Sequence, residues 1–285
     1  MKLDKSKKIL IVGLGLIGGS YAYTLKEKGY EVGAITLNKE DIDYALEHNI
    51  ISHGQVEVTK AYVSKFDVVI FALYPKVLLE WVSTYKDYFK DGAFLTDVTG
   101  VKQEIVYKIE ETLNKNVEFI GAHPMAGKEV YGVQNAKKDL FKGANYIVTP
   151  SISSNQEAIE LATSIGEELE FGKISILSPE EHDEMIAFLS QLTHCIAVSL
   201  MTCKESQHLK DYTGDSFRDL TRIANINENM WSELFLMNKN ELLSQMDLFI
   251  KEFNKLRDSL ENEDLDTMKE MMKLSTYRRS FFNKK

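Results

Sequence analysis

Lys8-Ile-Leu-Ile-Val12-Gly13-Leu-Gly-Leu-Ile-Gly18 sets a short apolar run directly before three glycines spaced G-x-G-x-x-G, and a helical pattern continues from there toward Lys28. An unbroken apolar run of this length reads as a strand buried on both faces, and a glycine turn feeding a helix is the first half of a strand–helix–strand unit. Gly13 permits the tight turn, Gly15 lets backbone amides approach a pyrophosphate, and Gly18 allows the helix to pack closely. The helix N-terminus supplies partial positive charge where a phosphate would sit. The glycine string alone is weak evidence. With its strand before it and its helix after it, it predicts a dinucleotide-binding loop that includes Leu16 and Ile17.

Further strand-like runs follow at 31–36, 67–73, 93–97, 118–121 and 144–149, most of them separated by amphipathic helical stretches. That alternation predicts a parallel sheet with helices on both faces, a Rossmann-type α/β domain. One more helix (155–170) and strand (173–177) complete it. After Ser178-Pro179 the strand signals stop. From Glu180 onward the periodicity is helical, with no proline and only Gly214, so we expect a dinucleotide-binding domain over 1–177 and an all-α domain over 178–285.

An acid usually ends the second strand of such a domain and binds the adenosine ribose. Here that place holds Thr36, followed by Leu37, Asn38 and Lys39. With no carboxylate there to repel a 2'-phosphate, the expected cofactor is NAD with NADP open. Thr36, Asn38 and Lys39, together with Asp97 at the end of the 93–97 strand, complete the expected cofactor set.

Composition limits the partners. The chain has 285 residues, 44% of them hydrophobic, enough for a large core and two domains. Its formal charge of -9 argues against nucleic acid or an anionic membrane as partner, so an anionic ligand needs local cations. The opening MKLDKSKKILIVG reads as a polar arm and not as a signal peptide, and a cytoplasmic location is expected. Cys195 and Cys203 read as reduced core thiols, and no metal-ligand spacing is found. The run 185–201 is the most apolar stretch, yet it is shorter than the roughly 20 residues a membrane span needs and contains Ser190, Gln191, Thr193, His194 and Ser199. It reads as a buried helix partly covered by a second subunit, which makes the helical domain the expected homodimer contact.

Three candidates could carry chemistry. In GAHPMAGKEVYG (121–132), His123 precedes Pro124 after a strand, so its backbone is restricted and its side chain held in a fixed direction. A catalytic imidazole and one that only caps a turn both fit this. Arg218 and Arg222, four apart, would share a helix face, and a planar guanidinium suits a carboxylate ligand. Arg218 reads as a surface pair with Asp215. His194 lies within the apolar helix, where a hydrogen-bonded core histidine is common. His48, His53, His182 and His208 read as surface or structural.

The chain resembles the prephenate/arogenate dehydrogenase family of tyrosine biosynthesis in VGLGLIGGS (12–20), TDVTGVK (96–102), GAHPMAGKEVYG with its continuation to LFKGANYIVTP (121–150), and FRDLTRIANINENMW (217–231). The histidine and arginine segments are the specific ones. The resemblance implies oxidative decarboxylation of a cyclohexadienol: hydride leaves the hydroxyl-bearing ring carbon for the nicotinamide, carbon dioxide is lost, and the ring becomes aromatic. It implies His123 as the base, Arg222 as the grip on a substrate carboxylate and His194 in the substrate pocket. In the family a serine just before the Val-Lys pair orients the catalytic histidine; here Gly100 stands there, and Thr99, a bound water or backbone is the expected substitute. Prephenate is the expected substrate, with arogenate as the alternative. A hydroxyacid dehydrogenase would show GxxGxGxxxK after the sheet, a string absent here, and a non-catalytic dinucleotide sensor would not need His123, His194 and Arg222 together.

Overall fold

The computed structural model describes residues 2–127, 130–205 and 207–282; Lys128 and Glu129 of the 121–132 segment lie outside them. The opening run forms β1 (Lys8–Val12), buried from Ile9 onward, and leads through the glycines into α1 (Leu16–Glu27). The sheet continues with β2 (Glu31–Ile35), β3 (His53–Gln55), β4 (Val68–Phe71), β5 (Phe94–Asp97), β6 (Glu118–Met125), β7 (Asn145–Thr149) and β8 (Lys173–Ile176). Between them run α2 (Lys39–Glu47), α3 (Lys60–Val63), α4 (Pro75–Tyr85), α5 (Gln103–Thr112) and α6 (Gln156–Glu168). Strand order is β3-β2-β1-β4-β5-β6-β7-β8, and every pairing is parallel except β6 with β7.

Successive strand residues serve opposite faces. Ile9, Ile11, Val68 and Ile70 pack with Tyr21 and Leu25 of α1 and Leu161 and Ile165 of α6. Leu10, Val12, Val69 and Phe71 pack with Leu78 and Val82 of α4 and Ile105 and Ile109 of α5. Both faces are covered, so the strands read as continuous apolar runs. Each fully buried Ile or Leu contributes about 1.5–3 kcal/mol.

Two glycines of the first loop are required by space. Gly13 has φ +99°, and a Cβ on it would lie 2.4 Å from the Ala72 carbonyl oxygen; a Cβ on Gly18 would lie 1.9 Å from the Gly13 oxygen. Nothing lies within 4 Å of a Cβ built on Gly15, so there the loop faces open space. The chain turns toward β2 on one side of β1 and toward β4 on the other, and a crevice at the carboxyl ends of such strands is where open α/β sheets bind ligands.

Two departures from the sequence reading bear on function. β3 carries no apolar run and lies outside the expected strands. The strand expected to stop at Gly121 continues through Met125, so His123 sits inside β6 and not in a turn. The reason is a change of partner: β6 pairs with β5 as far as Ile120, then with β7 antiparallel from Gly121 to Met125, His123 opposite Ile147. Pro124 lacks an N–H but lies where β5 no longer pairs.

After β8 the described structure is helical: α7 (Pro179–Ile186), α8 (Leu192–Thr202), α9 (Asp215–Thr221), α10 (Glu228–Met237), α11 (Lys239–Glu261) and α12 (Leu265–Ser280). Ser178 starts α7 with a capping box: its hydroxyl accepts the Glu181 N–H, the Glu181 carboxylate accepts the Ser178 N–H, and Pro179 holds the first helical position. A π-helical turn, Ala187–Gln191, joins α7 to α8; insertions of this kind are frequent at functional sites. The joined run Pro179–Thr202 is long and apolar enough to cross a membrane by length and composition. In this fold it packs against α5, α9 and α11, though Phe188 and Leu189 stay exposed.

Candidate active site

A cavity of about 600 Å³ opens at the carboxyl ends of β1 and β4. The glycine loop (Gly15, Leu16, Ile17, Gly18) forms one wall, and His123 and Gly100 face it. Ser190, His194, Arg222 and Trp231 close the helical side. Residues more than two hundred positions apart therefore share one space. The start of α1 has no side-chain cap and no acid in its first turn, so its amides and its positive end are directed at this cavity. With open space over Gly15, these features suit the pyrophosphate of a dinucleotide.

The outer part of the expected cofactor set lies beside the loop and outside the cavity. The Gly13 N–H donates to Ile35 O at 2.8 Å, which brings the end of β2, and hence Thr36, against the loop. Asn38 stands at the N-cap position of α2, its side-chain amide donating to Asp41 at 3.2 Å, and Lys39 Nζ bonds both Asp43 oxygens at 2.6 Å. Asp97 does not reach the cavity. It is fully buried: one oxygen accepts the Ala122 N–H at 3.0 Å, and the other accepts the Thr99 N–H at 2.9 Å, the Thr99 hydroxyl, and Lys102 Nζ at 2.6 Å. An expected cofactor contact is thus part of a buried ion pair behind the cavity wall. Lys102 is also fully buried, and burial lowers its pKa against the raising effect of Asp97. Lys102→Met would leave the Asp97 carboxylate buried without its counter-charge, and we expect a loss of about 3–5 kcal/mol of unfolding free energy in denaturant titration. A variant as stable as wild type would show that the pair adds nothing.

His123 projects from β6 with Nδ1 2.9 Å from His182 Nε2, and His182 Nδ1 lies 2.7 Å from Asp183 Oδ1. The Asp183 carboxylate also accepts the backbone N–H groups of Lys102 and Gln103, each at 2.8 Å, at the start of α5. Burial above all, with the charges of His182 and Lys102 adding to it, holds His123 well below the usual histidine range, so its ring is neutral at neutral pH. Burial likewise lowers His182 and raises Asp183 to about 6.

This corrects two expectations. The Thr99 hydroxyl is turned to Asp97 and to Val101 O, so it does not orient His123. His182, read as surface or structural, is not at the surface: it is fully buried, with Nε2 against His123 Nδ1. A Cβ at Gly100 would lie 3.9 Å from His123 Cε1, so the position where a serine was expected does face the imidazole.

On the helical side, His194 Nδ1 bonds Ser190 O at 2.9 Å, and the ring stacks on Trp231 with centroids 3.7 Å apart. Trp231 had no assigned role in the sequence reading. The expected shared helix face of Arg218 and Arg222 is broken, because α9 ends at Thr221 and Arg222 begins a 3₁₀ turn, Arg222–Ala224, that carries it to the cavity rim. Arg218 pairs with Asp215 at 3.3 Å, away from the cavity. Asn238, between α10 and α11, donates to Asp183 O at 2.9 Å and Gln191 Oε1 at 2.8 Å, tying α11 to α7 and the π turn. Cys203 is exposed and not in the core, and the two cysteines are unpaired.

The family model described as prephenate dehydrogenase, nucleotide-binding domain, matches residues 21–188, and that described as prephenate dehydrogenase, dimerization domain, matches 178–274. The chain belongs to the prephenate dehydrogenase family. Among relatives, the prephenate dehydrogenase of Bacillus subtilis is 32% identical over 91% of this chain and 72% of its own. The cyclohexadienyl dehydrogenase of Zymomonas mobilis is 28% identical over 94% of each chain. A crystal structure of prephenate dehydrogenase from A. aeolicus, in complex with hydroxyphenyl propionate and NAD+, covers 99% of this chain and 100% of its own with a TM-score of 0.89 at 29% identity.

Proposed function

We propose that this chain is a prephenate dehydrogenase that uses NAD, with residues 1–177 holding the dinucleotide and 178–285 supplying the substrate side and the dimer contact. The observation that carries the reading is the single cavity lined by Gly15, His123 and Arg222. The bound nicotinamide supplies the hydride acceptor. Everything else falls to the chain. Arg222 holds a substrate carboxylate at the rim, and His194, braced by Trp231 and Ser190 O, shapes the pocket beside it. His123 Nε2 takes the proton of the ring hydroxyl as that carbon is oxidised. When the ring–carboxylate bond breaks, its electron pair enters the ring, carbon dioxide departs, and His123 returns the proton to the same oxygen. No net proton is released.

Two choices within this reading rest on charge. Among the described residues lining the cavity there is no Asp or Glu to meet the ammonium of arogenate, and the keto group of prephenate needs none. Lys39 is bound to Asp43, and Glu40 and Asp41 occupy the first turn of α2, so a 2'-phosphate would meet negative charge. A steady-state assay crossing prephenate and arogenate with NAD and NADP should give the highest kcat/KM for prephenate with NAD, each wrong choice costing at least about tenfold. Preference for arogenate or for NADP would contradict that part of the reading.

The chain should act in the cytoplasm, where Cys195 and Cys203 stay reduced, and as a homodimer. Leu236, Leu243, Ile250, Phe253 and Leu260 on α10 and α11 remain exposed, an apolar surface that a second copy would cover.

A further inference from the structure

We propose that His182 and Asp183 are positioning residues that fix which nitrogen of His123 carries its proton and aim the other at the substrate hydroxyl. This rests on the reading of His123 as the base. The three groups are joined by two bonds whose direction only one end can decide. An ionised carboxylate only accepts, so Asp183 Oδ1 requires a proton on His182 Nδ1. Neutral His182 then has a bare Nε2, which must accept from His123 Nδ1 at 2.9 Å. That leaves neutral His123 with an unprotonated Nε2, the form a general base needs.

The anchor is itself built in. Each Asp183 oxygen accepts a backbone N–H at the start of α5, its carbonyl accepts from Asn238, and its position at the positive end of α5 favours the ionised form. His182 is fully buried, so water does not offer an alternative partner that could reverse the chain. A carboxylate–imidazole pair behind a base is the logic of the serine-protease triad, where spoiling the carboxylate costs about 10⁴-fold through the wrong tautomer. Because the reaction returns the proton to the substrate oxygen, these residues need only hold His123 and ease the charge it carries briefly. They need not conduct a proton away. The same arrangement explains how this chain does without a hydroxyl at Gly100.

His182→Leu removes the acceptor, and His182→Gln keeps the polarity, its amide N–H facing Asp183 and its amide oxygen facing His123. We expect His182→Leu to lower kcat by about 10²-fold or more while KM for substrate and for NAD stays within a few-fold, and His182→Gln to recover to within about tenfold of wild type. A leucine variant with wild-type kcat, or a glutamine variant as impaired as the leucine one, overturns the proposal.

Histidine ¹⁵N chemical shifts of the wild-type protein, which need no variant to fold, should show His123 protonated at Nδ1 and bare at Nε2; the reverse tautomer also overturns it. The acid limb gives a further readout. Asp183 is faced by His182 on its own helix, by Lys102 and Gln103 of the α5 start and by Glu180, and it takes up a proton at about pH 6, where it ceases to dictate the chain. Wild-type kcat should fall as pH drops through about 6, and His182→Leu should lose that limb. An acid limb unchanged in the leucine variant counts against the proposal. If His123→Asn keeps full turnover, the base reading itself fails; if it is inactive while His182→Leu is not, only the positioning role fails.

Discussion

His123→Asn should lower kcat by about 10²- to 10⁴-fold, the usual contribution of a positioned general base, and leave NAD affinity within about twofold. The split follows from where the residue sits. His123 lines the cavity from β6, while the dinucleotide loop between β1 and α1 is held by its own contacts: Gly13 against Ala72, Gly18 against Gly13, and the Gly13 N–H on Ile35 O. None of these involves the imidazole. Asparagine is smaller than histidine and can keep a bond toward His182, so β6 and its pairing with β7 should survive. It has no basic nitrogen, so the hydroxyl proton has nowhere to go as the ring carbon is oxidised. The pH dependence should agree: because burial lowers the His123 pKa, its neutral form persists throughout the neutral range, and raising the pH above 7 should not raise kcat further through this group. Steady-state kinetics beside a nucleotide titration checks both halves. A variant within a few-fold of wild-type turnover would remove His123 from the chemistry.

The second large effect concerns Arg222. A charge-assisted hydrogen bond contributes about 1.5–3 kcal/mol, so Arg222→Ala should raise KM for prephenate roughly 10- to 100-fold with KM for NAD nearly unchanged. Arg222 is an exposed residue of the cavity lining that belongs to the helical domain and not to the glycine loop, carried there by the 3₁₀ turn that follows α9. Being exposed, it works partly in water, and added salt should weaken its effect in wild type. Arg222→Lys should recover only part of the loss, since an ammonium cannot reproduce a planar fork. Equal rises in the two Michaelis constants would mean that the substitution disturbs the fold and not a substrate contact.

What the sequence made legible follows from which signals are local. Lys8–Val12 and its glycines announce themselves because strand, turn and helix are contiguous, and the space around Gly13 and Gly18 shows why no other residue fits. The parallel strands are readable because both of their faces are covered. β3 is not, since three residues without an apolar run leave no period. The end of β6 is not legible, because Pro124 usually marks a boundary and nothing nearby in sequence shows that β7 returns antiparallel to pair with it. His123, His194 and Arg222 could be singled out from motif and chemistry. His182 could not. It lies 59 residues from His123, in the acidic, well-capped start of a helix that looks solvated in sequence, and only the packing of α7 against the start of α5 buries it. Asp97 shows the opposite error: a strand-end acid in a nucleotide-binding domain invites a cofactor role, yet Lys102 five residues on turns it inward.

The central claim is that the glycine loop, His123 and Arg222 form one oxidising site. Its most direct test is a single-turnover experiment with NAD and prephenate in which reduced nucleotide and carbon dioxide are both followed for wild type and His123→Asn. Wild type should yield the two products in equal amounts, while the variant, shown to bind both ligands, yields neither on the same time scale. Ligand binding by wild type with no reduction, or reduction by the variant at the wild-type rate, would contradict the account.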